Sequence, residues 1–225
     1  MTLQFLTQFY HIYKDLFIKC QKSDSNFYYI VFHEIRYRIF KRKKLWLHQK
    51  VTLKHIDHIN LQKGCRLNIG IEYIGFCHQN DRTLLNIKGK LNIKSSYSIG
   101  RGCRIDIGPK GIVNIGTGGY INAFTTLIIM NRLEIGDNTA ISWGCQFLDE
   151  NFHEIEYEGK KVAENSIIIG NNVWIGCGAK IYKGTVLADN CIVASDSIVR
   201  GIFNDNYSLI AGNPAKVIKS NVYWR

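Results

Sequence analysis

The sequence predicts a mainly β protein wound as a solenoid, and three observations carry that reading. Ile169, Ile175, Ile181, Leu187, Val193 and Val199 recur every six residues without a break. Compact residues (Val173, Ala179, Thr185, Cys191, Ser197) stand four places after an aliphatic each time. The same period runs upstream in three sets: Ile87, Ile93, Ile99 and Ile105; Ile115, Ile121, Leu127 and Leu133; Ile135, Ile141 and Phe147. A strict six matches neither the helical 3.6 nor the plain alternation of an ordinary strand. It suits a triangular prism with one aliphatic per flat side turned inward and a small residue near each corner, the periodicity of β-helices. The strands of a β-sandwich alternate but do not hold phase over six consecutive units.

The other elements follow in chain order. Residues 1–22 carry apolar residues at near-helical spacing, and Ser23-Asp24-Ser25 reads as a break and N-cap. Residues 26–47 read as a second amphipathic helix, with Arg36, Arg38, Lys41, Arg42, Lys43 and Lys44 among its aromatics. Residues 1–55 are therefore expected to be a basic, aromatic, helical segment. It either packs on the first coils or a neighbouring subunit, covering strand edges, or touches a membrane carrying a lipid-linked substrate.

The coil is expected over 56–203, irregular at first around Leu61, Leu67 and Ile74, as solenoid ends are. Changes of phase at 106–114 and 127–135 read as register slips or small corner loops. The gap between Phe147 and Ile169 reads as a loop thrown out of the coil over 148–166. After Val199 the pattern stops. Ile202–Tyr207 reads as a turn, and residues 204–225 as a tail.

Composition narrows the class. A chain of 225 residues with 46% hydrophobic content can bury a substantial core. No apolar run approaches the roughly 18–20 residues that span a bilayer. The N-terminal residues lack a signal-peptide pattern, so the expected location is the cytoplasm or the inner face of its membrane. Cys65, Cys103, Cys145 and Cys191 occupy the small slot of the repeat, which makes them packing rather than a disulfide or zinc framework. Of the formal net charge of +11, most lies in residues 1–50, where ten Lys/Arg face three Asp/Glu. That clustering points to an anionic partner of the N-terminal segment and not to a nucleic-acid-binding body.

Four features together resemble the hexapeptide-repeat acyltransferases, over about residues 87–219. They are the repeats, the stretch Ile169-Gly170-Asn171-Asn172-Val173-Trp174-Ile175-Gly176, the expelled loop with His153, and Gly212-Asn213-Pro214-Ala215-Lys216. The branch resembled holds maltose, galactoside and capsule or sialic-acid O-acetyltransferases. The resemblance implies a left-handed parallel β-helix working as a homotrimer with acetyl-CoA in clefts between subunits; the N-terminal helical segment and short C-terminal tail read from the residues complete the expected fold.

The implied chemistry moves an acetyl group from a thioester to a hydroxyl, which needs a base for the hydroxyl proton. Histidine suits that role because its ordinary pKa of about 6.5 leaves much of it neutral near pH 7. His153 is the histidine inside the patterned region; the other six precede the clear repeats. Asp149 is a candidate to orient its imidazole, with Asn151 and Glu154 as weaker ones; Asn151 is also a candidate substrate contact. The resemblance makes Asn122 a substrate-facing amide and Trp174 a neighbour of the acyl site. It places Gly176, Cys177, Ala194 and Ser195 along the pantetheine, and Arg200, Lys216 and Lys219 near the nucleotide phosphates. Arg200 and Ala194-Ser195-Asp196-Ser197 depart from the family's usual residues.

The expected function is acetyl-CoA-dependent O-acetylation of a sugar hydroxyl in a capsule, lipopolysaccharide or sialic-acid glycan, without a metal. Alternatives are N-acetylation of an amino sugar or small xenobiotic by the same machinery, and a non-catalytic scaffold. A zinc site on this coil needs three histidines on neighbouring rungs, which the patterned region does not supply.

Overall fold

The computed structural model describes residues 2–72, 75–154, 156, 158 and 165–225. Ile74 and residues 155, 157 and 159–164 of the expelled segment lie outside the described residues. Among the described residues, three sheets make the faces of a prism. The first holds nine strands, from Lys44–Leu47 to Ala215–Lys219; the second seven, from Val51–Lys54 to Ile198–Val199; the third seven, from Ile59–Leu61 to Ile202–Phe203. Successive strands visit the faces in turn and pair in parallel with the coils above and below. Inside, like residues stack in columns. Ile121, Ile141, Ile175, Val193 and Ile210 form one such column on the first face, all buried.

The upstream changes of phase come from strand length. Arg104–Ile107 turns both Ile105 and Ile107 inward, and Arg132–Ile135 turns both Leu133 and Ile135. Later strands such as Val186–Leu187 turn one residue inward. Side chains alternate with period two along a strand, so each extra inward residue moves the six-residue frame by two. Neighbouring coils are accordingly 22 residues apart at Asn92 and Asn114, 20 at Thr125 and Cys145, and 18 at Cys177 and Ser195. The separation of 34 between Thr139 and Val173 contains the expelled segment. Cys103 and Cys145 are buried in the small slots, and burial pushes both thiols up to about 12, where they act as packing.

Two helices precede the coil, α1 (Thr2–Lys22) and α2 (Phe27–Lys41). The break falls where expected, but the cap is Asn26, whose side chain accepts the Tyr29 N–H at 2.9 Å. Arg42 ends α2 in the left-handed region, and Lys44–Leu47 is already a coil strand. The prism thus begins inside the segment 1–55 read as helical. Leu45, Trp46 and Leu47 explain the misreading: all three are buried, because coil lies on one side and helix on the other. An unbroken apolar run of that kind does not distinguish strand from helix.

The helices are seated on their own coil. Buried Glu34 accepts from Trp46 Nε1 at 2.8 Å and from the Tyr13 hydroxyl at 3.2 Å. The Arg66 guanidinium lies 3.7 Å from the Trp46 ring centroid. Buried Arg101 donates to the carbonyls of Ser23 and Gly70, tying the interhelical turn to the first face. At the other end the coil runs past Val199. Ile202–Phe203 pairs with Val186–Leu187, and Leu209–Gly212 pairs with Ile192–Val193 before the closing hairpin. Among the described residues no helix is long and apolar enough to cross a membrane.

Candidate active site

Small residues between large ones open a groove on the outside of the first face. Tyr120, Ala140 and Trp174 stand in one register column, and the alanine leaves a notch between the two rings. The groove has a volume of about 370 Å³ and is lined by Tyr120, Asn122, Ala140, Ser142, Trp143, Trp174, Cys177, Ser195, Trp224 and Arg225. It lies at the low end of the size range of small-molecule sites. Four residues singled out in the sequence meet in it: Asn122, Trp174, Cys177 and Ser195.

The corner between the first and second faces builds its floor. Trp143, Cys177 and Ser195 follow one another down successive coils, held by Gly178 N–H to Trp143 O at 3.1 Å and Asp196 N–H to Cys177 O at 2.9 Å. The Cys177 thiol reaches the Ser195 hydroxyl at 3.2 Å. Below the large Trp143, then, runs a slot floored by small side chains. Gly176 is buried, and a Cβ there would come within 2.6 Å of the Ser195 nitrogen. Its observed role is to let neighbouring coils approach. Ala194 is half-buried and not part of the lining.

Polar groups are aimed by local bonds. Asn122 Oδ1 accepts the N–H of Ala123 at 2.8 Å, which fixes the amide. Trp174 donates its indole N–H to the Ser142 hydroxyl at 3.0 Å.

The tail contributes differently from the expectation. Lys216 and Lys219 are exposed on the strand Ala215–Lys219 and do not line the groove. Arg200 is exposed as well, its guanidinium 5.9 Å from the Tyr182 ring centroid. Beyond the hairpin the chain folds back. Val222 N–H bonds to Tyr207 O at 2.8 Å, the Tyr207 and Tyr223 rings lie 4.8 Å apart, and Trp224 donates to Asn172 O at 2.9 Å. This brings the Trp224 ring 6.2 Å from that of Trp174 and sets Arg225 at the groove. Tyr120, Ser142, Trp143, Trp224 and Arg225 were not singled out by sequence. Ser142 and Trp143 do sit directly after the inward Ile141, so they are corner residues by the repeat itself. Nothing periodic marks Trp224.

His153 is exposed and follows the second-face strand Gln146–Leu148, on the way to the third face. It therefore belongs to a different corner of the prism from the groove. Asn151 is exposed beside it, its N–H bonded to the Glu150 carboxylate at 2.8 Å. Asp149 has partners other than the imidazole read from the sequence. It is fully buried, and its two oxygens accept the backbone N–H groups of Met130, Asn131 and Arg132 at 2.7–2.8 Å. Burial pushes its carboxyl above the ordinary range, against the downward pull of those three amides. Asp149 closes the corner from which the expelled segment departs.

A family model described as "Bacterial transferase hexapeptide (six repeats)" matches residues 166–201. An "Uncharacterized 24.8 kDa protein in cps region" of Klebsiella pneumoniae is 34% identical over 92% of this chain and 93% of that protein. A "Putative acetyltransferase" of Saccharomyces cerevisiae is 32% identical over 81% of this chain and 82% of its own length. A "Putative lipopolysaccharide biosynthesis O-acetyl transferase" of Escherichia coli K12 is 25% identical over 58% of this chain and 72% of that protein. The unbroken repeats, the three-faced coil they build and these relatives place the chain in the hexapeptide-repeat acetyltransferase family.

Proposed function

We propose that this acetyltransferase moves an acetyl group from acetyl-CoA to a sugar hydroxyl of a cell-surface polysaccharide, such as capsule, lipopolysaccharide or a sialic-acid glycan. The observation that carries the reading is the meeting of Asn122, Trp174, Cys177 and Ser195 in one groove. The slot floored by Cys177 and Ser195 suits the narrow amide chain of pantetheine. Arg225 at the groove, and the exposed Arg200, Lys216 and Lys219 beyond it, offer cations to the nucleotide phosphates. The glycan acceptor is supported by the printed name of the Escherichia coli relative.

In the proposed reaction His153 takes the proton of the attacking hydroxyl. The hydroxyl oxygen forms a bond to the acetyl carbonyl carbon, the carbon–sulfur bond breaks, and the coenzyme A thiolate leaves with the proton returned by the imidazolium. Hydrogen-bond donors at the groove meet the charge on the carbonyl oxygen, a role open to Asn122. Since His153 and the groove lie at different corners of one chain, the reading includes a homotrimer in which the histidine of one subunit faces the groove of the next.

The test is a thiol-release assay over a panel of hydroxyl and amine acceptors. Acetyl transfer to a glycan hydroxyl is expected. Activity confined to amines, or no thiol release with any sugar, contradicts the proposal.

A further inference from the structure

We propose that α2 docks this protein onto an anionic bilayer, with its outer apolar stripe at the headgroup boundary and the basic concavity at its C-terminal end taking lipid phosphates. Tyr28, Phe32, Ile35 and Ile39 are spaced by four, three and four residues, which puts them on one side of the helix. Their exposures are 81, 65, 49 and 66%. The opposite side, Ile30 and Glu34, is buried against α1 and the first coils, so the stripe has no route to its own core.

Cations frame the stripe. Arg36 and Arg38 flank it and are exposed. At its end, a concavity of about 340 Å³ is lined by Arg38, Arg42, Lys43, Lys44 and Lys63, with no acidic residue in its wall among the described residues. Lys43 and Lys44 are held there by the carbonyls of Ile59 and Gly64, at 2.6 and 3.2 Å. Lys41 is spent on Asp57 at 2.8 Å.

Charge decides the occupant. A helix with large apolar side chains between cations of one sign is the chemistry of interfacial helices on anionic lipid. A second copy would bring the same basic surface, and the excess of seven positive charges in residues 1–50 opposes that self-contact. The inference does not depend on acetyl transfer.

The experiment is co-sedimentation of the full chain with phosphatidylcholine vesicles, with and without phosphatidylglycerol. The anionic lipid should raise the bound fraction at least about tenfold, and added salt should lower it. A Phe32→Ser/Ile39→Ser pair and an Arg38→Gln/Arg42→Gln pair should each reduce binding about tenfold, with solution mass and thermal midpoint unchanged. Equal or absent sedimentation with the two lipids overturns the proposal. So does a change of solution mass in the variants with vesicle binding retained, which assigns the stripe to a second copy. Calorimetric binding of inorganic phosphate without any binding to vesicles assigns the concavity to a soluble anion and overturns it too.

Discussion

The indole N–H of Trp174 donates to the hydroxyl of Ser142 at 3.0 Å, across two neighbouring coils of the first face. The bond fixes the orientation of an exposed aromatic ring beside the notch at Ala140. Ser142→Ala should therefore lower kcat/KM about fivefold, the worth of one net hydrogen bond near 1 kcal/mol. Trp174→Phe should lose a similar amount, and the double variant little more, because both remove one interaction. Additive losses in steady-state kinetics would show that the pair does not act together.

Asp149 joins the second face to the segment that leaves it, through three backbone amides. Asp149→Ala leaves those donors buried and unpaired, so stability in urea should fall by about 3 kcal/mol or more. The pH profile of kcat should keep its midpoint. A displaced midpoint would make Asp149 the partner of the imidazole proposed as general base.

His48 makes the helix–coil junction sensitive to acid. It is fully buried, and its Nδ1 accepts the Lys50 N–H at 3.2 Å. Burial above all, then the nearby positive charge of Arg101, pushes its pKa from 6.5 down to about 4. An unfolded chain protonates this histidine near pH 6.5 while the folded one resists until about 4. Unfolding thus takes up a proton between those values, and stability falls as pH is lowered through them, by about 3 kcal/mol in all. Above pH 6.5 the group adds no slope. Urea midpoints measured from pH 7 to pH 4 should fall less steeply in His48→Gln, and parallel curves would refute the assignment.

The inward columns were legible in the sequence because a repeat that must stack on itself has to repeat its aliphatics. From Ile169 to Val199 every inward residue was readable on that ground. Lys44–Leu47 was not, since burial on both sides erases alternation. The groove was half legible. Asn122, Trp174, Cys177 and Ser195 were singled out through the family resemblance, whereas Trp224 arrives by a fold-back that depends on Tyr207, Asn172 and the hairpin between. Asp149 was read as a candidate to orient the His153 imidazole, and its bonds to the backbone of residues 130–132 come from burial that four residues of sequence separation do not reveal.

The decisive measurement is thiol release by His153→Ala with acetyl-CoA and a glycan acceptor. His153 is exposed, so its removal should leave the coil's thermal midpoint and solution mass unchanged. With the proposed general base removed, kcat should fall by about 10²–10⁴. Acetyl transfer at the unaltered rate by the folded variant would contradict the account.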